Sequence, residues 1–244
     1  MRLSFYKTIS IFILVFTLLW LINSPTLASS ETKYYFGLRG MYHYPAGDFD
    51  GKDEGFHTVE QKDSNLEYRY DLHELVDNYG VGVTFGAYNQ FTAGELSYAQ
   101  SKHGSIWEGN EMPDEAVLDI LNIDVKFFQP NSGVKKLKPY GQIGLVISTL
   151  SMKNCASMDI VSFDEDGNEQ SRLTYNGNAR YTGRGYDLGF GLMLNITENL
   201  LLDGSVIYQK IFYEELKTLG IREKIPEELV LTSRTYNLGL KYCF

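Results

Sequence analysis

Apolar and polar residues change places at every second position in eight stretches of this chain. That is the period of a strand whose two faces meet different surroundings. The stretches are residues 34–44, 79–88, 91–100, 121–128, 140–148, 186–194, 202–210 and 232–244. In the fourth, Leu121, Ile123, Val125 and Phe127 alternate with Asn122, Asp124, Lys126 and Phe128. In the last, Tyr236, Leu238, Leu240, Tyr242 and Phe244 alternate with Asn237, Gly239, Lys241 and Cys243. An even number of strands suits a closed sheet. The pattern predicts an all-β fold, an eight-stranded antiparallel up-and-down β-barrel.

The connections alternate in length. Residues 89–90, 129–138 and 195–199 make short turn regions, whereas 45–78, 101–119, 149–185 and 211–233 are long. Tight turns at one end and large loops at the other are the habit of a transmembrane barrel. The four long segments are therefore expected to be loops. An Asp166-Gly167 turn signal predicts that the fifth and sixth strands continue as a hairpin beyond the membrane.

A soluble barrel turns its apolar face inward, and a membrane barrel turns it to lipid. Here the polar parity carries Arg39, Glu95, Asp124, Lys126, Asp187, Asp203 and Lys241, interleaved with glycine, while Lys210 is the exception on the apolar parity. At the end of its strand, Lys210 is expected to reach toward lipid headgroups. Aromatics sort to two levels. Tyr34, Phe36, Phe91, Phe127, Tyr242 and Phe244 lie near the short turns, and Tyr42, Tyr98, Tyr186, Tyr208 and Tyr236 near the long loops. Two aromatic girdles flank the lipid-facing band of such barrels. A membrane barrel with a polar lumen is predicted.

An eight-stranded lumen is filled by side chains. Arg39, Glu95, Asp124, Lys126, Asp203 and Lys241 fall at similar depth and are expected to form an interior ion-pair network, because an unpaired buried charge is costly. Strand neighbours should bring Asp203, Lys241 and Arg39 together, and Glu95 to Lys126. The network reads as a plug, with a gate or narrow ion path as the alternative. Cys243 and Cys155 fall at opposite ends, too far apart for a disulfide.

The 244-residue chain begins with a basic, apolar and small-residue sequence: Arg2 and Lys7, then residues 9–22, then "SPTLASS". This predicts a signal peptide, residues 1–28, cut after Ala28, with residues 29–244 forming the barrel domain. The apolar run of about 14 residues is short for a membrane helix. Without Arg2 and Lys7, the 22 Lys+Arg become 20 against 31 Asp+Glu, a charge of −11. That balance argues against nucleic acid as a partner.

No cofactor, metal or catalytic group is predicted. "DFDGKDEG" (48–55) lacks the glycine of a calcium loop, and "SFDEDGN" (162–168) leads to Leu173 where a bidentate Glu belongs. Both read as solvated turns, although ten acids in residues 45–78 leave weak divalent-cation binding open. His43, His57, His73 and His103 read as exposed loop residues. The "KKLK" turn, 135–138, reads as a soluble turn.

Four stretches, "YYFGLRGMY", "VKFFQPNSGVKKLKPYGQIGLV", "YDLGFGLMLNITENLLLDGSVIY" and "YNLGLKYCF", together resemble the OmpA-like family of small outer-membrane β-barrel proteins. The resemblance spans about residues 30–244 and implies a porin-like barrel of the Gram-negative cell envelope, with no periplasmic domain. Tyr236, Leu238, Leu240, Tyr242 and Phe244 resemble the assembly signal read by the barrel-assembly machinery. The expected partners are that machinery, outer-membrane lipid and lipopolysaccharide, and an extracellular ligand of the loops; a monomer is expected. Short turns and both mature termini would be periplasmic and long loops extracellular. The leading role is structural or surface interaction, including adhesion. The alternatives are a narrow channel or carrier for small apolar solutes, or a lipid A acyltransferase or deacylase.

Overall fold

The computed structural model describes residues 32–49, 61–63, 66–71, 74–107, 110–129, 136–164, 166, 168–218 and 221–244. The predicted signal peptide, His57, His73 and most of the segment 48–55 lie outside the described residues.

The described residues form strands β1 (Lys33–Gly47), β2 (Gln61–Asp63), β3 (Leu66–Asp71), β4 (Glu74–Leu75), β5 (Asn78–Tyr88), β6 (Thr92–Trp107), β7 (Asn110–Phe128), β8 (Leu137–Phe163), β9 (Glu169–Asn195), β10 (Leu200–Thr218) and β11 (Ile221–Cys243). Eight of them pair antiparallel in a ring, β1-β5-β6-β7-β8-β9-β10-β11 and back to β1. The sheet is closed, so none of its barrel strands presents a free edge over its membrane half.

The register fixes the shape. Gly37 lies opposite Thr84, Thr84 opposite Ser97, Ser97 opposite Asn122 and Asn122 opposite Val146. Val146 then leads through Gly185, Ile211 and Leu231 back to β1 at Gly47. One circuit thus climbs ten residues, from Gly37 to Gly47. With the usual rise per residue and strand spacing, that stagger tilts the strands by about 40°.

Period 2 then decides which side chains meet lipid. Tyr34, Phe36 and Leu38 point out of β1 and Tyr35, Gly37 and Arg39 point in. Val81, Val83 and Phe85 on β5, Leu188, Phe190 and Leu192 on β9, and Leu238 and Leu240 on β11 continue an exposed apolar belt. Such a belt on a protein in water would be far larger than the apolar patches soluble surfaces carry. Tyrosines and phenylalanines rim it: Tyr34, Phe36, Phe91, Phe127, Tyr242 and Phe244 at the turn end, and Tyr98, Tyr186, Tyr208 and Tyr236 at the loop end, are all exposed.

The long connections differ from the sequence expectation. The segments 101–119, 149–185 and 211–233 are not irregular loops but continuations of the wall. β6 and β7 remain paired to Trp107 and Asn110, β8 and β9 to Phe163 and Glu169, and β10 and β11 to Thr218 and Ile221. The periodic signal fades there because the inward parity itself turns apolar, at Leu118, Ile120, Leu150, Met152, Ile211 and Leu231, and apolar outside with polar inside no longer holds. Bulges at His103/Ser105 and Tyr213/Glu215 also shift the parity. The hairpin expected at Asp166 is present, with Asp164 N–H donating to Asn168 O at 3.0 Å.

Candidate functional site

The lumen is built in layers. Its floor, at the turn end, packs Tyr35, Tyr88, Ala93, Phe128, Tyr140, Met193, Leu201 and Cys243. Lys138, expected in a soluble turn, instead holds its ammonium 4.9 Å from the Tyr88 ring centroid and 5.6 Å from that of Phe128. Cys243 is a buried free thiol whose Sγ lies 3.9 Å from the Tyr88 hydroxyl, and Cys155 lies on the loop-end part of β8.

Above the floor, four of the six expected network residues meet. Lys126 Nζ lies 3.0 Å from both Glu95 Oε2 and Asp203 Oδ2. Lys241 Nζ contacts the same two oxygens. Tyr35 donates to Glu95 Oε2 at 2.7 Å and Tyr140 to Asp203 Oδ1 at 2.5 Å. Each ammonium also sits over a ring, Lys126 over Tyr140 and Lys241 over Tyr35. The square draws on β1, β6, β7, β8, β10 and β11, so it ties opposite walls across the lumen. Gly86 makes room for it: a Cβ there would lie 2.5 Å from the Tyr35 hydroxyl.

Arg39 and Asp124 are not in the square. Arg39 faces the same level from β1, yet among the described residues its buried Nε has no hydrogen-bond partner. The expected grouping of Arg39 with Asp203 and Lys241 is therefore only half realised. Register places Arg39 and Asp203 on either side of Gly239, and it is Lys241 that reaches the carboxylate. Asp124 lies one layer nearer the loops and faces Asp187, which the sequence places on the inward parity without giving it a partner. The two acids are 2% and 0% exposed and flank Gly144 in register. A Cβ on Gly144 would lie 2.0 Å from Asp124 Oδ1 and 2.8 Å from Asp187 Oδ2. Gln142 Nε2 donates to Asp187 Oδ1 at 3.5 Å; both Asp124 oxygens are without a partner among the described residues.

Beside the square lies a cavity of about 10 Å³, bordered also by Arg39, Thr84, Gln142, Ser205, Ile207 and Asn237. That is room for about one water.

Further up, Thr235 donates to Gln209 and Gln209 to Asn122, both at 3.3 Å. The histidines of this level correct the sequence reading. His43 and His103 are not exposed loop residues but fully buried lumen residues, with ring centroids 5.1 Å apart. They follow the inward parity of β1 and β6 beyond the girdle tyrosines, and the third periodic stretch, 91–100, runs past its expected end to Trp107.

His103 Nδ1 lies 2.7 Å from Val76 O and its Nε2 2.8 Å from Ser101 Oγ. A carbonyl can only accept, so the ring carries its proton on Nδ1 and its Nε2 accepts from Ser101. That tautomer is the one a serine nucleophile requires. With Ser101 1% and His103 0% exposed, however, the pair is sealed from substrate. What it does in the fold is hold Val76, whose N–H donates to Gly104 O at 3.0 Å.

Val76 belongs to a strap across the loop-end mouth. β1 ends at Gly47 with φ 83°, a left-handed turn that glycine adopts freely, and the chain crosses inward. Asp48 exchanges two bonds with Val230 of β11, N–H to O at 3.0 Å and Oδ2 from N–H at 2.7 Å. Leu75 N–H donates to Phe49 O at 3.0 Å. Phe49 is thereby driven edge-on against Tyr181 and Tyr213. It closes an apolar roof of Leu118, Ile120, Leu150, Met152, Ile211 and Leu231. Nothing periodic marks residues 48–49, and the sequence reading missed this roof.

No protein-family model matches the chain, and no curated protein matches it. Among solved structures it is similar to Neisserial surface protein A, at 11% identity over 88% of this chain and 99% of that one, with a TM-score of 0.48. It is similar also to Ail, the attachment invasion locus protein of Yersinia pestis, at 14% identity over 88% and 99%, with a TM-score of 0.40. Outer membrane protein W of E. coli gives 14% identity over 88% and 100%, with a TM-score of 0.41. What makes this chain a closed barrel is its own register.

Proposed function

We propose that the chain is an integral outer-membrane barrel of a Gram-negative cell envelope, of OmpA-like kind, with a structural and surface-interaction role. The single observation behind this reading is the inversion of the usual protein: an apolar belt outside and a fully paired ionic square inside. In this reading the leader of residues 1–28 exports the chain and the barrel-assembly machinery inserts it as a monomer. The short turns and mature termini then face the periplasm, and the extended β8–β9 and β10–β11 hairpins present an extracellular, adhesin-like surface. Outer-membrane fractionation with heat-modifiable gel mobility tests it; a soluble periplasmic product overturns it. Planar bilayers should stay silent with both the native chain and Lys241→Ala, and conductance in the variant would replace the plug by a gate.

The apolar roof favours a second reading, a carrier for small apolar solutes that enter when Phe49 is displaced. Uptake of an aromatic solute should rise in Phe49→Ala if this reading holds and stay unchanged if the roof is only a seal.

A further inference from the structure

The loop-end rim of the belt is electrically lopsided. On the β1–β7 side, girdle tyrosines meet acids: Tyr42 of β1 donates to Asp77 at 2.9 Å, and Tyr98 of β6 to Asp119 at 2.6 Å, where Gln100 Nε2 also donates at 2.8 Å. On the β9–β11 side they meet cations. Each of three adjacent strands carries an outward tyrosine and, two residues nearer the loops, an outward base. The pairs are Tyr186 with Arg184 on β9, Tyr208 with Lys210 on β10, and Tyr236 with Arg234 on β11. Lys210 is therefore not the single exception on the apolar parity.

Among the described side chains, the row has reinforcement and two acidic competitors. Arg180 and Lys217 lie opposite one another higher on the same face. Arg184 is held by Glu214 through Nε at 2.9 Å and Nη2 at 2.7 Å, and Glu215 lies opposite Thr182. Arg180, Arg184, Lys210, Lys217 and Arg234 outnumber Glu214 and Glu215. The Lys210 ammonium lies 5.3 Å from the Phe212 centroid, on the loop side of its own strand position. Three neighbouring strands span about 10 Å, the width of a phosphorylated sugar headgroup. Directly below run the exposed Leu188, Phe190, Leu192, Leu238 and Leu240. A soluble anion would use the cations alone; an anionic lipid uses both.

We propose that Arg184, Lys210 and Arg234 form a headgroup site for a phosphate-bearing lipid of the outer leaflet, its acyl chains lying on the β9–β11 face of the belt. The site rests on the membrane reading above. Guanidinium and ammonium groups held at headgroup depth bind phosphate by charge-assisted hydrogen bonds.

The test uses the full barrel in phosphatidylcholine nanodiscs with and without bisphosphorylated lipid A, read by native mass spectrometry. The native chain should retain lipid A. Lys210→Gln/Arg234→Gln should bind it about thirtyfold more weakly, the loss expected for two surface cations. Lys102→Gln, at a cation exposed on β6, should bind as the native chain does. Equal retention by the double variant overturns the site, and displacement by inorganic phosphate overturns the lipid as occupant. A chain that inserts but shows no preference sinks this inference alone; one that enters no bilayer sinks the membrane reading with it.

Discussion

Glu95 and Asp203 each face two lysines across the lumen, whereas Asp124 and Asp187, one layer nearer the loops, face each other. All four acids are buried and all four sit on the inward parity of their strands. The difference comes from register and reach. Register sets Glu95 opposite Asp124, and Gly144 between Asp124 and Asp187, so acids are neighbours around the wall. Lysine stems are long enough to cross the lumen, so Lys126 and Lys241 reach Glu95 at the end of that row and Asp203 outside it. Among the described residues no cation pairs with Asp124. Facing the lumen is thus a local property of a strand, but having a partner is a property of the whole ring.

The largest effect should come from breaking the square. Lys126→Ala leaves Glu95 and Asp203 buried with one ammonium between them, and removing one partner of a buried pair costs about 3–5 kcal/mol. Urea unfolding in lipid vesicles, followed by gel mobility, reads this directly, and a change below about 1 kcal/mol would show the square to be solvated. Asp203→Asn should cost less, about 2 kcal/mol. It weakens charge-assisted bonds from Lys126, Lys241 and Tyr140 but leaves Glu95 to hold both lysines.

Gly144→Ala tests the other cluster through shape. Its Cβ would fall on Asp124 Oδ1, and the strand backbone on both sides is fixed by β7 and β9. Overpacking of this kind costs about 1–3 kcal/mol. A second change, Asp124→Ala, should restore much of the loss in the same assay, since it removes the atom in the way; full additivity would show the two not to be in contact.

These contrasts also mark what the chain discloses before folding. The membrane halves of all eight barrel strands are legible because lipid on one side and a polar lumen on the other impose strict alternation. So is the inward placement of Arg39, Glu95, Asp124, Lys126, Asp203 and Lys241. The partners are not legible, because they depend on a stagger of ten residues that no strand contains by itself. Beyond the membrane the alternation relaxes, and the extended hairpins, buried His103 and the Phe49 strap leave no periodic mark; His43, inside the first stretch, shows its inward parity but not its burial. Arg184 fell in a segment read as loop. Arg234 did not: it stands within the last strand on the lipid-facing parity, and a base beside a girdle tyrosine was the signal available for it.

The smallest expected effect is the sharpest discriminator between the two clusters. Two carboxyl groups this close and this buried cannot both carry charge without cost. Asp124→Asn keeps the size, and its amide can donate to Asp187 as a protonated carboxyl of the pair does. No lysine loses a partner, because none pairs with Asp124 among the described residues. Stability in the vesicle assay should therefore stay level to within about 1 kcal/mol, the worth of one hydrogen bond. The same acid-to-amide exchange at Asp203, one layer below, lowers stability. If Asp124→Asn instead costs as much as Asp203→Asn, then Asp124 holds a cation in the folded barrel, and the two clusters follow one rule.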